Sequence, residues 1–190
     1  MKAYIQNYLK ELIEISNIID IDKLMILTEE IKLLKENQGR LFIVGVGGSA
    51  ANASHAVNDF RKILGIESYS PLDNVSELTA RINDDGWETS LSNWLNTSKI
   101  SSKDAVLVFS VGGGSETTSQ NLVLAMTTAR KANAKVFSIV SRDGGCARKL
   151  SEVCVLIPVV NSGCITPHAE EWQAILWHMI VSAIASEERV

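Results

Sequence analysis

The sequence predicts an α/β protein, a three-layer α/β/α sandwich with a central parallel sheet and an N-terminal helical extension. Three observations support this class. Short, continuous apolar runs recur along the chain, and glycines end the first two. Each of those two is followed by a segment compatible with a helix, and strands that are apolar throughout are typical of a parallel sheet covered on both faces. Finally, residues 2–38 precede every run and carry apolar residues at helical spacing.

The elements follow in order. Residues 2–38 predict two helices, with a break near Asp20 and Gly39 as the final cap. Four apolar runs then predict strands: LFIVG (41–45), DAVLVFS (104–110), KVFSIV (135–140) and VCVLIP (153–158). Helices are predicted from Ser49 to about residue 63, after the second strand to about residue 133, and from about Pro167 to Ser186. We expect a single domain over 1–190, with helices 1–38 at an oligomer interface and an α/β core over 39–190.

Two shorter patterns lie between the first two strands. Trp87, Leu91 and Trp94 recur at the spacing of the buried face of an amphipathic helix. The segment Asn83-Asp84-Asp85-Gly86 before them predicts a turn.

Composition narrows the function classes. The 190 residues carry a net charge of −4 and no stripe of lysines and arginines, so we expect no binding to nucleic acid. No run of 18 apolar residues and no signal-peptide pattern is present, which predicts no membrane association and a cytoplasmic location. Three cysteines without CxxC spacing, Cys146, Cys154 and Cys164, predict free thiols in a reducing compartment.

Two Gly/Ser loops predict a phosphate site. GVGGS (45–49) follows the first strand and SVGGGS (110–115) follows the second, at the sheet edge where ligands bind. Glycine lets the backbone approach a ligand, and the following helix directs free N–H groups at it. A dinucleotide site is the weaker interpretation, because Ala50 ends the GxGxxG pattern and a suitable acidic residue is missing. The candidate phosphate-binding residues are Gly47, Gly48, Ser49, Ser110, Gly112, Gly113 and Ser115.

Two helices carry residues suited to acid–base or metal chemistry. His55 and Asp59 are four residues apart and share one helix face. Glu170 and His178 share a face of the last helix, and Gln173 lies one turn from Glu170. A histidine within so apolar a helix needs a hydrogen-bond partner or a function.

His168 has two interpretations. It follows Pro167 at the start of the last helix. It is therefore either a surface residue there or one that crosses a subunit boundary into the site.

Together these segments resemble the sugar-isomerase (SIS) domain, a flavodoxin-like fold, and within it the phosphoheptose isomerases. The resemblance depends on GVGGSAANASH (45–55), INDDGW (82–87), the loop at 110–115, SRDGG (141–145) and the final Glu/Gln…His helix. It implies conversion of sedoheptulose 7-phosphate to D-glycero-heptose 7-phosphate through an enediol, in heptose biosynthesis for lipopolysaccharide or capsule. It also implies a homotetramer with active sites between subunits and a phosphorylated sugar as substrate.

The resemblance assigns roles residue by residue. His55 matches a metal ligand, and Asp59 takes the place of a glutamate that is both metal ligand and base. His178 matches the second acid–base group and ligand, and the implied metal is one Zn²⁺ per subunit. Glu170 stands where glutamine is usual and completes the implied ligand set. Gln173 remains an alternative for that glutamine, as a substrate-binding residue.

Further matches concern the substrate. Ser49, Ser110 and Ser115 match phosphate-binding serines, and Asn83 and Asp84 match an Asn-Asp pair near the substrate. The loops depart from the family pattern, since Val46 replaces Asn and the second loop lacks the usual Thr, Ser and Asn side chains. Phosphate binding would therefore rely more on backbone N–H groups.

Three functions are compatible with this resemblance: an isomerase, a non-catalytic regulator of replication initiation that binds another protein, and a sugar-phosphate sensor. Retention of His55, Asp59 and His178 together favours the enzyme. Because a metal-bound Asp59 cannot act freely as a base, its two roles remain open.

Overall fold

Alternating helices and parallel strands form the architecture of the protein in a computed structural model that describes residues 1–187. The strands are β1 (Leu41–Val44), β2 (Ser68–Tyr69), β3 (Ala105–Phe109), β4 (Lys135–Val140) and β5 (Val153–Leu156). The helices are α1 (Lys2–Ile18), α2 (Ile21–Glu36), α3 (Gly48–Lys62), α4 (Val75–Asp85), α5 (Trp87–Thr97), α6 (Gln120–Lys131), α7 (Gly145–Leu150) and α8 (Ile165–Glu187). The predicted α/β sandwich is thereby confirmed.

The strands form one parallel sheet in the order β2-β1-β3-β4-β5. The chain runs from β1 outward to β2 and then crosses to β3 on the other side of β1. The reversal places a switch point between the carboxyl ends of β1 and β3, where open α/β sheets bind ligands. Both Gly/Ser loops begin there.

Alternate residues of each strand enter two separate cores. Leu41 and Ile43 pack with residues of α2, α3 and α8, whereas Phe42 and Val44 pack with residues of α5 and α6. Both faces of the sheet are therefore covered. This explains why the strands are apolar throughout, without the polar alternation of a sheet that has one face in water.

The two N-terminal helices differ in what they bury. Four leucine and isoleucine residues of α2 are buried in the core of its own domain, whereas α1 buries Ile15. Helix α2 nevertheless leaves Ile21, Met25, Ile26 and Leu33 exposed. The apolar residues that α1 leaves exposed are Tyr4, Ile5, Leu9, Ile13 and Ile18.

Local structure departs from the sequence predictions at several points, and the short helix α7 was among the elements not predicted. β2 was not predicted, because its two residues give no apolar pattern. The predicted turn at residues 83–86 is wrong: Asn83, Asp84 and Asp85 form the last turn of α4, and Gly86, with φ of 85°, ends that helix and begins α5. Of the predicted buried face of α5, Leu91 is buried, whereas Trp87 is exposed.

Candidate active site

A cavity of about 430 Å³ lies at the switch point between the two Gly/Ser loops. It is lined by the second loop, by Val46 of the first, by Arg142 and Asp143 after β4, and by Thr166 at the start of α8. Its walls therefore come from three strand ends and one helix start. The residues that line it are Val46, Ser110, Val111, Gly112, Gly114, Ser115, Thr118, Ser119, Arg142, Asp143, Gly145 and Thr166.

The second loop is held in shape by its own hydroxyls and by α7. Ser110 Oγ accepts a hydrogen bond from the Gly113 N–H at 3.0 Å, and Ser115 Oγ accepts from Thr118 N at 3.1 Å. Gly113 is required at its position, because its φ is 71° and a Cβ there would lie 2.0 Å from the Gly144 carbonyl oxygen. The loop is thus preorganised around the cavity.

Ser49 supports the prediction of an anion site in the first loop. It lies in the first turn of α3, only 1% exposed, and its hydroxyl has no hydrogen-bond partner among residues 1–187. A buried polar group without a partner is costly, so a ligand that accepts its hydrogen bond would relieve that cost.

Arg142 lines the same cavity, although the sequence patterns did not identify it as a site residue. Its side chain reaches the second loop, since a Cβ at Gly112 would lie 3.9 Å from Arg142 Cδ. The signal in the sequence was its place directly after Ser141 at the end of β4, on the edge where the loops also lie. An arginine here supplies the charge that the loop side chains lack.

The packing of α3 against α8 brings His55, Asp59 and His178 together. One ligand atom from each of the three lies within 4.8 Å of the others. The His55 and His178 rings are 5.3 Å apart and nearly perpendicular, and Trp177 packs against both. The pair predicted on α3 and the histidine predicted on α8 therefore form one cluster.

Hydrogen bonds aim two of these groups at each other. His178 Nδ1 lies 2.7 Å from the Ala174 carbonyl, to which a neutral imidazole donates from that nitrogen. Its other nitrogen, Nε2, then presents a lone pair 3.8 Å from Asp59 Oδ2. Asp59 Oδ1 accepts from Asn58 Nδ2 at 2.8 Å, which leaves Oδ2 toward the histidine. Two imidazoles and a carboxylate, one imidazole oriented by a carbonyl, fit the donor set of a zinc site.

Glu170 and Gln173 lie beside this cluster on α8. The Glu170 carboxylate packs against the start of α3, where a Cβ at Gly48 would lie 2.2 Å from Oε2. It is not among the three groups that lie within 4.8 Å of one another. Gln173 is fully buried, and its Oε1 accepts a hydrogen bond from Asn52 Nδ2 at 3.2 Å.

Asn83 and Asp84 lie in α4, and neither lines the cavity described above. Asn83 Nδ2 donates to Asp84 Oδ1 at 2.7 Å, in an exposed pair. Their role near a substrate stays a prediction.

His168 is not a surface residue. It is 2% exposed, and its ring packs 4.5 Å from the ring of Tyr8 in α1. The correction has a physical reason: α1 covers the start of α8, a contact between distant segments that local sequence does not reveal.

Two Gly/Ser loops at the switch point of a five-stranded parallel sheet, with a histidine–aspartate cluster between α3 and α8, define an α/β protein of the sugar-isomerase (SIS) type. The structure of the phosphoheptose isomerase GmhA from Neisseria gonorrhoeae has this fold, with a TM-score of 0.84, 22% identity and coverage of 97% of this chain and 96% of that one. A phosphoheptose isomerase from Francisella tularensis superposes with a TM-score of 0.83 at 18% identity, over 98% of this chain and 96% of that one.

Sequence comparison gives the family. The phosphoheptose isomerase of Helicobacter pylori strain P12 is 30% identical over 156 residues, covering 78% of this chain and 76% of that protein. That of Sulfurimonas denitrificans is 28% identical, covering 98% of this chain and 96% of that protein. No protein-family model matches the chain. The chain belongs to the phosphoheptose isomerase family.

Proposed function

We propose that the protein isomerises sedoheptulose 7-phosphate to D-glycero-heptose 7-phosphate. Family membership supports this activity, and one observation carries it for this chain: His55, Asp59 and His178 converge where α3 meets α8. Regulation of replication initiation is not favoured, because these three residues are retained together. A sugar-phosphate sensor is likewise not favoured.

The spacing along α3 suits a long phosphosugar. A helix rises about 1.5 Å per residue, so His55 lies roughly 10 Å along the axis from the start of α3 at Gly48. That start adjoins the cavity, which Val46 and the second loop line. A phosphate held by Ser110, Ser115 and Arg142 would place the opposite end of an extended seven-carbon sugar near the cluster.

The reaction needs one base and one acid. Removal of a proton from carbon 1, next to the carbonyl carbon 2, gives an enediol, and return of a proton to carbon 2 gives the aldose. Asp59 Oδ2 is the carboxylate oxygen left free by Asn58, so we assign it the first proton transfer when no metal is bound to it. His178 Nε2 faces the same space and serves as the second acid–base group.

We propose zinc as the cofactor, one ion per subunit, held by His55, Asp59, His178 and Glu170. When bound, the ion would supply electrophilic polarisation of the substrate carbonyl. Glu170 would need to turn from Gly48 toward the cluster. Asn52 of α3 donates to the Glu170 carbonyl at 2.8 Å and to Gln173 Oε1 at 3.2 Å, so it joins α3 to this part of α8.

The assembly and location are also proposed. We propose a homotetramer with sites between subunits, supported by the exposed apolar side chains of α1. A cytoplasmic location stays a prediction; separately, none of the helices within residues 1–187 is long and apolar enough to cross a membrane.

The test is turnover of sedoheptulose 7-phosphate by the purified protein, as prepared, after chelation and after zinc is restored. Loss on chelation and recovery with zinc would support both the isomerase and its metal. Turnover that is insensitive to chelation would keep the isomerase and make Asp59 the base without a metal. No turnover under any condition, from folded protein, would contradict the proposal.

A second test addresses phosphate binding. Ser110→Ala is expected to raise KM about tenfold or more, the scale of a lost hydrogen bond to a charged group, with a smaller change in kcat. Ser138→Ala is the matched control, because Ser138 is also a buried serine but lies within β4. A fall in kcat at constant KM for Ser110→Ala would remove it from the phosphate site.

A further inference from the structure

A second cluster of metal-ligating side chains lies between α1 and the start of α8. It comprises Glu11, Cys164 and His168, and one ligand atom from each lies within 4.8 Å of the others. Cys164 and His168 are both buried, at 7% and 2% exposure. None of these residues belongs to the His55, Asp59 and His178 cluster, so the inference does not rest on the proposed function.

We propose that Glu11, Cys164 and His168 bind a zinc ion that joins α1 to α8. A thiolate, an imidazole and a carboxylate are the three ligand types of protein zinc sites, whereas magnesium and calcium prefer oxygen ligands alone. Three protein ligands leave the fourth tetrahedral position to water.

The surrounding hydrogen bonds orient the histidine as a metal site would. His168 Nδ1 lies 3.4 Å from Glu171 Oε2, while Nε2 points to Glu11 Oε2 at 2.7 Å. Metal-binding histidines almost always donate their second ring N–H to a carboxylate or carbonyl. Glu171 is the carboxylate that would accept this hydrogen bond from His168, and its other oxygen accepts from the Tyr8 hydroxyl at 2.6 Å.

Glu11 is oriented in the same way. Its Oε1 accepts from Asn161 Nδ2 at 2.7 Å, which leaves Oε2 toward His168. The bonds from His168 and Asn161 lower the pKa of Glu11, so the carboxylate is ionised as a ligand must be. Burial and the bond to Glu171 raise the pKa of Tyr8, so its phenol remains a donor.

Without metal, Glu11 and His168 are joined by a hydrogen bond. Zinc would take the place of the proton between them, and a second proton would leave the Cys164 thiol. Binding therefore releases protons, and the affinity falls as the pH is lowered.

The experiment uses cobalt(II) as a spectroscopic probe, added under reducing conditions to the full chain after its metals are removed. A cysteine ligand gives a near-ultraviolet sulfur-to-cobalt charge-transfer band, which a site of histidine and carboxylate ligands does not. We expect this band in the wild-type chain and in His55→Ala. It should disappear in Cys164→Ser and persist in the matched controls Cys146→Ser and Cys154→Ser, whose thiols lie elsewhere.

Absence of the band in the folded wild-type chain would overturn the proposal, and so would a band that survives in folded Cys164→Ser. If Cys164→Ser does not fold, as judged by circular dichroism, Glu11→Gln decides. We expect it to weaken cobalt binding, read from the same band, at least tenfold, and unchanged binding would overturn the proposal.

Discussion

The two histidine clusters on α8 have opposite surroundings. His178 is half exposed, and the oxygen it faces on Asp59 is 3.8 Å away. His168 is 3% exposed in its side chain and lies 2.7 Å from Glu11, with Glu171 on its other side. A histidine whose reactive nitrogen faces open space can meet a substrate, whereas one held by two carboxylates holds two helices together. One helix thus carries an exposed histidine that a substrate could reach and a buried histidine that contacts α1.

The largest expected effect is on turnover, and it would come from the exposed cluster, which consists of His55, Asp59 and His178. His178→Gln is expected to lower kcat at least about a hundredfold, because it removes a proton-transfer group. Asp59→Asn should do the same, for the same reason. Denaturant unfolding of both variants should stay close to wild type, since His178 is half exposed and Asp59 is partly exposed. Unchanged kcat in either variant would remove that residue from the mechanism.

The matched change in the buried cluster, which consists of Glu11, Cys164 and His168, should lower stability and leave turnover unchanged. His168→Gln is expected to destabilise the fold by about 1–3 kcal/mol, because it leaves buried polar groups without their partners. Its kcat per folded molecule should stay near wild type. Urea unfolding and steady-state kinetics on the same preparation separate the two effects. A variant with wild-type stability and lost turnover would place His168 in the active site instead.

Adjacent glutamates on α8 sharpen the contrast. Glu170 packs against Gly48 beside the exposed cluster, and Glu171 accepts from Tyr8 beside the buried one. Glu170→Gln is expected to weaken zinc binding to the exposed cluster on the order of tenfold, because a negative charge is removed from its ligand set. Glu171→Gln is the control. Zinc competition measured in a Cys164→Ser background isolates the exposed cluster, and equal affinities for the two variants would exclude Glu170 as a ligand.

The smallest effect concerns pH. Hydrogen bonds from His168 and Asn161 hold the pKa of Glu11 below its ordinary value of 4.5. Folded Glu11 therefore binds fewer protons than unfolded Glu11, and its contribution to stability is full above pH 4.5 and lost as the pH falls through the folded pKa. With chelator present, the stability difference between wild type and Glu11→Gln should shrink on acidification. A difference independent of pH would show that ionisation of Glu11 does not stabilise the fold.

Local patterns in the sequence were sufficient for four of the five strands and for the pairing of His55 with Asp59 on one helix face. β4 coincides with its apolar run, because a strand buried on both faces must be apolar throughout. Helical periodicity alone places His55 and Asp59 on one face of α3. Local sequence did not predict β2, because a strand of two residues gives no pattern. It also predicted a turn at Asn83-Asp84-Asp85, because these residue types are common in turns, although here they end a helix.

By itself, then, the sequence determined the α/β class, the Gly/Ser loops at two strand ends and the residue types of the site. Only the tertiary structure decided which helices meet. Contact of α3 with α8 joins His178 to Asp59, and α1 covers His168, a residue 157 positions from its partner Glu11. The physical reason is that periodicity reports which face of a helix is apolar, whereas packing of distant segments decides which neighbour covers that face and which polar groups it surrounds.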